Sequence, residues 1–273
     1  MSNTRLNRMS SLNQIVDLDR YPLDRLDLPE GEALIGRCRR SLTQTGACQL
    51  HGFVRPETVT RLVAEADSLR PSSHRTDDTH NVYFEPIDDE PAAGDVQRRL
   101  QRSAKFTVGH DRIGPHSPLR LLYQTDEMTA FVAGALGVAE LYRDADPAGA
   151  LSFAIFERGD ELGWHFDRSE FAVTLMLQPS PAGGSYQYVQ DLRSPHDENR
   201  DAVADVLDGD QASVVTLHNR PGTLSLFRGR YSIHRVTPNQ SDTPRINAVL
   251  AYAQIRDHRL NAVTRELFYG SPA

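Results

Sequence analysis

Two histidines and one aspartate in the second half of the chain have the spacing of metal ligands. His165 and Asp167 are two positions apart in the segment GWHFD, and two such side chains on a strand project from the same face. His234, in the segment GRYSIHRV, supplies a third ligand from another predicted strand. Two imidazoles and one carboxylate on one face of an octahedral metal leave three positions open, an arrangement that suits Fe(II). The alternative for each histidine is a hydrogen-bonded residue of the core.

The pattern of a histidine two residues before an acid is weak evidence by itself. With 10 histidines and 37 acidic residues in the chain, roughly one such match arises by chance. His196 and Glu198 form a second match, within the charged stretch 190–212. That stretch breaks the rhythm of the predicted strands and indicates a solvated insertion. The match at residue 165 differs, because aromatic residues flank it and a buried strand is predicted after it.

Arg245 adds a cation to this set of residues. It begins the last predicted strand, eleven residues after His234, and the alternation of that strand directs it inward. A buried arginine needs an anion, and the planar guanidinium suits a carboxylate. A dicarboxylate could place one end on the metal and the other on Arg245. The alternative is an exposed arginine at a strand end, but the four residues together favour the metal site.

Short strands in the second half are predicted to position these residues. Apolar or alternating runs are separated by turns rich in Gly and Pro, which is typical of a sandwich or a closed double-sheet barrel. The predicted strands cover 151–157, 170–178, 185–189, 213–218, 223–229, 231–236 and 245–253.

Helices are predicted before these strands. Apolar residues at helical spacing predict helices over 32–45, 56–69 and 118–136. The stretch 71–117 is polar and irregular, and a loop of this length is usually functional. We therefore predict a mainly β protein with N-terminal helices.

The predicted organisation is one structural domain with three parts. Residues 1–137 form an N-terminal helical region and a substrate-covering loop packed on the core. Residues 138–255 form the core, with an insertion at 190–212 over one mouth of the barrel. Residues 256–273 form a C-terminal tail.

Composition excludes several classes of protein. Two cysteines rule out a disulfide scaffold and a four-cysteine zinc site, and they suit a reducing, cytoplasmic compartment. A net charge of −7 disfavours nucleic acid as a partner. No apolar run has the ~18–20 residues of a membrane helix, so no membrane is expected. A small-molecule substrate is the expected partner, and a homodimer stays open.

The order and spacing of His165, Asp167, His234 and Arg245 resemble those of Fe(II)/2-oxoglutarate-dependent oxygenases over residues 138–255. The segments GWHFD, GGSYQYV, PGTLSLFRGRYSIHRVTP and SLNQIVDLDRYPLD are more closely similar to one branch, the BesD-type halogenases and hydroxylases of free amino acids. The resemblance implies a double-stranded β-helix core, cupin-like and also called a jelly-roll. It implies Fe(II) on the first three residues, 2-oxoglutarate on Arg245, and dioxygen as the oxidant.

Asp167 separates two reactions within that branch. In the halogenating members a small residue replaces the carboxylate, which vacates a coordination position for chloride. The resemblance therefore implies that this chain hydroxylates an unactivated C–H bond and releases succinate and CO₂. Halogenation, desaturation or cyclisation at the same iron stays an alternative, as does a non-catalytic jelly-roll binding protein.

The substrate is expected to be a free amino acid or a similar small polar metabolite. Arg168 follows the triad carboxylate and would repel the ammonium of a lysine substrate, which favours a substrate with an anionic or amide group. The alternative for Arg168 is a solvent-facing residue. The candidate substrate-binding residues are Arg75, His80, Asn81, Tyr83, Trp164 and Arg168.

Overall fold

Short antiparallel strands dominate the computed structural model, which describes residues 12–85, 95–218 and 220–270. The strands are β1 (Ala47–Leu50), β2 (His74–His80), β3 (Gln101–Gly109), β4 (Tyr142–Arg143), β5 (Leu151–Phe156), β6 (Glu161–His165), β7 (Ala172–Gln178), β8 (Tyr186–Val189), β9 (Val215–Leu217), β10 (Thr223–Phe227), β11 (Ile233–Val236), β12 (Arg245–Leu250) and β13 (Tyr252–Ala253). The α-helices are α1 (Pro29–Thr45), α2 (Pro56–Leu69), α3 (Pro118–Tyr123), α4 (Asp126–Leu136), α5 (Arg200–Leu207) and α6 (Ala262–Tyr269).

Eleven strands form one curled sheet. Their order is β1-β10-β7-β12-β5-β3-β6-β11-β8-β9, with β2 beside β3, while β4 and β13 form a separate pair. The curl brings distant strands together, because the Tyr186 ring of β8 lies 5.3 Å from the Phe227 ring of β10. The sheet thus has an inner and an outer face. The predicted jelly-roll fold with N-terminal helices is confirmed.

The outer face of the sheet packs against the N-terminal helices. Leu34, Cys38 and Leu42 of α1 recur every fourth residue and are all buried. The same hydrophobic core includes Phe153 and Ile155, which alternate along β5 with inward-facing residues. Each fully buried side chain of this size contributes about 1.5–3 kcal/mol. This packing leaves the inner face of the sheet free to carry polar residues.

Helix α4 differs from the sequence-based expectation of one helix over 118–136. The chain leaves the helix after Tyr123 and begins a new one at Asp126. Thr125 is the reason, because it adopts an extended backbone and its hydroxyl accepts a hydrogen bond from the Met128 amide at 3.3 Å.

No helix in the described ranges is long and apolar enough to span a bilayer.

The stretch 71–117 is not the long loop that its composition predicts. Strands β2 and β3 lie within it, and β3 sits inside the sheet between β5 and β6. The polar sequence of β2 conceals a strand because the side chains that turn inward, Thr76 and His80, find hydrogen-bond partners there. Since β1, β2 and β3 share the sheet with later strands, residue 138 does not mark its beginning. Residues 86–94 lie outside the described part of the chain.

The flanking segments also contain helices. The predicted insertion 190–212 carries α5, and His196 and Glu198 are exposed within it, as expected of a solvated loop. The predicted C-terminal tail carries α6, which packs against β2 and β3. The tail is therefore part of the folded structure.

Replacing the capping threonine tests the break between α3 and α4. We expect Thr125→Ala to lower the free energy of unfolding by about 1 kcal/mol, because a backbone amide in the first turn of α4 loses its hydrogen-bond acceptor. Urea denaturation measures this change. Thr60→Ala is the matched control, since this exposed hydroxyl in α2 only donates back to the Pro56 carbonyl and should change stability by less than about 0.5 kcal/mol. Equal effects in both variants would contradict the capping role.

Candidate metal centre

The three predicted metal ligands meet at one end of the curled sheet. His165 ends β6 and stands directly opposite His234 of β11 in the strand register, with 4.0 Å between ring centroids. Asp167 lies just beyond β6, and its Oδ1 is 3.7 Å from His165 Nε2 and 3.5 Å from His234 Nε2. One ligand atom from each residue lies within 4.8 Å of the others. This is the spacing that a single ion would bridge.

The two imidazoles are oriented for metal binding. His165 Nδ1 donates to the Gly163 carbonyl at 2.8 Å, and His234 Nδ1 donates to the Ser232 carbonyl at 3.0 Å. These bonds set the tautomer, so that each Nε2 presents a lone pair toward Asp167. Burial, reinforced by the neighbouring His234, holds the pKa of His165 well below its ordinary value. The imidazole is therefore neutral near pH 7, as a ligand must be.

The carboxylate of Asp167 fits a metal ion. Its Oδ2 is buried and has no hydrogen-bond partner among the described residues, which is costly unless a cation contacts it. The Asp167 amide donates to the Gly229 carbonyl at 3.0 Å. A Cβ at Gly229 would overlap Oδ2, so this position must be glycine for the carboxylate to keep its place. A divalent ion would satisfy all three side chains.

Arg245 lies inside the sheet and is only 3% exposed. Its guanidinium lies 5.2 Å from the Phe156 ring, and its Nε has no hydrogen-bond partner within the described ranges. Burial lowers the pKa of Arg245 to about 10, which leaves it charged at neutral pH. Tyr186, Thr174 and Ser225 line the small space beside it. A buried cation with polar neighbours suits a carboxylate.

A cavity of about 430 Å³ opens at Asp167. Two segments that are far apart in the sequence, 83–85 and 258–268, form much of its wall. Its described lining carries four arginines, Arg168, Arg193, Arg230 and Arg259, against the acids Glu85 and Asp167. An anionic molecule therefore suits its mouth better than a cationic one.

Two of the six predicted substrate residues line this cavity, namely Tyr83 and Arg168. Tyr83 stacks on Phe166 at 5.7 Å between ring centroids. Arg168 is half exposed, donates to the Phe84 carbonyl at 3.2 Å and lies 3.6 Å from Glu85. Its charge therefore reaches the cavity but is partly balanced.

Three others lie around a second cavity, which shares the Phe84 turn with the first. Arg75 is bound to Asp160 by two hydrogen bonds of 2.6 and 2.7 Å, so its guanidinium already has an anion. His80 bonds Ser103 at 2.6 Å, and burial lowers its pKa to about 4. Asn81 stabilises the turn by accepting from the Tyr83 amide at 3.0 Å.

Trp164 faces away from the metal ligands. As the neighbour of His165 on β6, it projects from the opposite side of the strand. Its ring lies under the Arg235 guanidinium at 4.5 Å, within a separate hydrophobic cluster.

Sequence reasoning missed Lys105 and Phe268, which approach the site from β3 and α6. In the sequence, Lys105 stands out because it is the only lysine of the chain.

The fold and the site together define a class: a double-stranded β-helix with two histidines and one carboxylate at its open end. The model of the family described as Halogenase D matches residues 31–269. The chain belongs to this family. No curated protein matches it.

Solved structures share the fold. The epimerase SnoN, in complex with Fe3+, alpha ketoglutarate and nogalamycin RO, is 17% identical with a TM-score of 0.56, over 82% of this chain and 84% of that one. AviO1 from Streptomyces viridochromogenes Tue57 is 21% identical with a TM-score of 0.53, over 81% and 94%. A prolyl hydroxylase in complex with a hypoxia inducible factor peptide fragment from Trichoplax adhaerens is 14% identical with a TM-score of 0.54, over 82% and 90%.

Gly229→Ala tests the position of the carboxylate. The added methyl group must displace the Asp167 side chain, so we expect affinity for Fe(II) to fall roughly 10- to 100-fold, as for other residues that orient ligands. Anaerobic calorimetric titration measures it. Gly114→Ala is the control, because a Cβ there meets no atom within 4 Å. Unchanged affinity in Gly229→Ala would count against Asp167 as a ligand.

Proposed function

We propose that this protein is an Fe(II)- and 2-oxoglutarate-dependent oxygenase that hydroxylates a C–H bond of a small polar metabolite. Membership of the halogenase D family supports the class, as does the likeness to SnoN, whose structure holds Fe3+ and alpha ketoglutarate. The observation that carries the proposal is the Asp167 carboxylate, whose buried Oδ2 has no partner among the described residues, beside the imidazoles of His165 and His234.

The proposed roles of the residues follow from their positions. His165, Asp167 and His234 would hold the iron on one face, and Arg245 would bind the distal carboxylate of 2-oxoglutarate. When bound, iron and 2-oxoglutarate supply the oxidising chemistry, with release of succinate and CO₂. The burial of Arg245 strengthens its hold on a carboxylate, because few water molecules compete with it.

Hydroxylation rather than halogenation is proposed because the carboxylate is present. A metal held by Asp167 as well as by the two histidines would have no position left for a halide beside 2-oxoglutarate and dioxygen. The Gly229 backbone leaves the space that this carboxylate needs. Halogenation is the second candidate, and the description of the family favours it.

The proposed substrate is a free amino acid or a similar small molecule with an anionic or amide group. The BesD-type branch, which the sequence resembles, acts on free amino acids. The arginines around the cavity favour an anion over the second ammonium of lysine. Arg168 and Tyr83 are the proposed contacts from the original set, since they line the cavity that Asp167 opens into.

A stepwise anaerobic experiment tests the proposed class. We expect Fe(II) and 2-oxoglutarate to give a visible charge-transfer band, and oxygen with a panel of amino acids to give succinate and a product heavier by one oxygen atom. His165→Ala and His234→Ala should abolish both. A band and turnover in both variants would rule out this metal site, and ligand binding without succinate from any substrate would favour the non-catalytic alternative.

Arg245→Ala tests the cosubstrate site. We expect the KM for 2-oxoglutarate to rise by roughly 30-fold to several thousand-fold, because losing one partner of a buried charged pair costs about 2–5 kcal/mol. Affinity for Fe(II) should stay near the wild-type value. Arg235→Ala is the control, since that guanidinium packs over Trp164 on the other side of β11. An unchanged KM in Arg245→Ala would move the cosubstrate elsewhere.

A chloride experiment separates the two candidate reactions. With excess chloride we expect the wild-type protein to give only the hydroxylated product, because no coordination position is left for the halide. Asp167→Gly should lose most hydroxylation and give at best a trace of chlorination. Mass spectrometry of the product distinguishes them. Chlorinated product from the wild-type protein would refute hydroxylation as the native outcome.

A further inference from the structure

Lys105 is the only lysine among the 30 lysine and arginine residues of the sequence, and it lies beside the metal centre. It stands in the middle of β3, on the same face as Ser103. Ser103 bonds His80, whose ring is 6.1 Å from the ring of His165. The face that carries Lys105 is therefore the inner one.

The position of β3 places Lys105 between the two parts of the proposed site. Besides β2, the strand β3 pairs with β6, which ends at His165, and with β5, whose Phe156 pairs with Arg245. The charge of the Lys105 ammonium is felt by both Asp167 and Arg245. Burial is the main influence on this ammonium and lowers the pKa of Lys105 to about 8. It is therefore still mostly charged near neutral pH.

The ammonium of Lys105 has no acidic partner in the described part of the chain. Its Nζ lies 4.2 Å from the centroid of the Phe268 ring. Asp167 is beyond ion-pair distance, and its carboxylate already faces the two imidazoles. A half-buried ammonium without an anion is unfavourable, and a cation–π contact returns only about 0.5–2 kcal/mol.

The residue type at position 105, lysine and not arginine, supports a role in ligand binding. Elsewhere the chain uses arginine for its ion pairs, for example Arg75 with Asp160 and Arg70 with Glu157. Lysine offers a compact point charge on a flexible stem, which can follow a ligand that moves or changes. A purely structural cation at this position would be expected to have a carboxylate of the protein beside it.

We propose that Lys105 binds a carboxylate group of a ligand beside the metal centre, as a second carboxylate site distinct from Arg245. The identity of that ligand rests on the proposed function: it is either 2-oxoglutarate or a substrate with a carboxylate group. Both sources have the same chemistry, so the test must separate them.

The single lysine makes a direct binding experiment possible. Protein labelled with [ε-13C]lysine gives one resonance, from Lys105, and the zinc-loaded form is diamagnetic. We expect 2-oxoglutarate, or an amino acid added after it, to move this resonance and to raise its pH midpoint by about one to two units, because a nearby carboxylate favours the charged ammonium. A shift with 2-oxoglutarate alone identifies the cosubstrate, and a shift only after an amino acid identifies the substrate.

Variants distinguish ligand binding from packing against α6. Lys105→Met should weaken the carboxylate that shifts the resonance by at least about 10-fold, while zinc affinity and thermal stability stay close to wild type. Lys105→Arg should restore part of the affinity. Arg256→Met is the control, because it also removes a cation over an aromatic ring, that of Tyr142.

Either of two results would contradict the proposal. If neither 2-oxoglutarate nor any proteinogenic amino acid shifts the resonance, or if Lys105→Met binds them as the wild type does, the ammonium serves only to dock Phe268 and the proposal is wrong. Because the readout is binding to the zinc-loaded protein, this result is separate from an absence of turnover. If the protein shows no turnover but the Lys105 resonance still shifts on ligand binding, the proposed function is wrong and the carboxylate site is still supported.

Discussion

The register between β6 and β11 is the constraint on which the site depends. It sets His165 directly opposite His234, and backbone carbonyls two residues earlier fix both rings with Nε2 pointing the same way. Asp167 joins them because the chain leaves β6 at this point and its amide bonds to Gly229. A shift of one residue in this pairing would turn one imidazole to the other side of the sheet. Trp164 of β6 and Ile233 of β11 pack in one hydrophobic cluster with Val189 of β8, and this packing helps to hold the register.

Unbalanced charge is the second organising feature. The interior holds a carboxylate oxygen on Asp167 and a guanidinium nitrogen on Arg245 that have no protein partner in the described ranges, and the Lys105 ammonium contacts an aromatic ring. Burying these groups without a partner is unfavourable for folding, and such groups are typical of sites that bind a ligand. A metal ion and a carboxylate-bearing molecule are the complementary partners.

The family description and the site point to related but different reactions. In the proposed site the Asp167 carboxylate would take the coordination position that a halide needs, and Gly229 leaves room for this carboxylate. Arginines around the adjacent cavity, including Arg168, also favour a different substrate charge from that of lysine. The chain belongs to the family, and hydroxylation on its shared scaffold is our proposal.

The sequence by itself determined the helices α1 and α2 and the strands of the second half other than β4 and β6, because periodicity is a local property. Residue type and spacing also selected the four residues that are proposed to do chemistry. The sequence could not assign β2 and β3, since their polar side chains acquire partners only in the folded sheet. It predicted Arg75 and Trp164 as substrate residues; in the fold Arg75 pairs with Asp160, and the Trp164 ring lies under the Arg235 guanidinium. The approach of Lys105 and α6 to the metal centre was decided by tertiary structure alone, because strand order and curl join residues far apart in the chain.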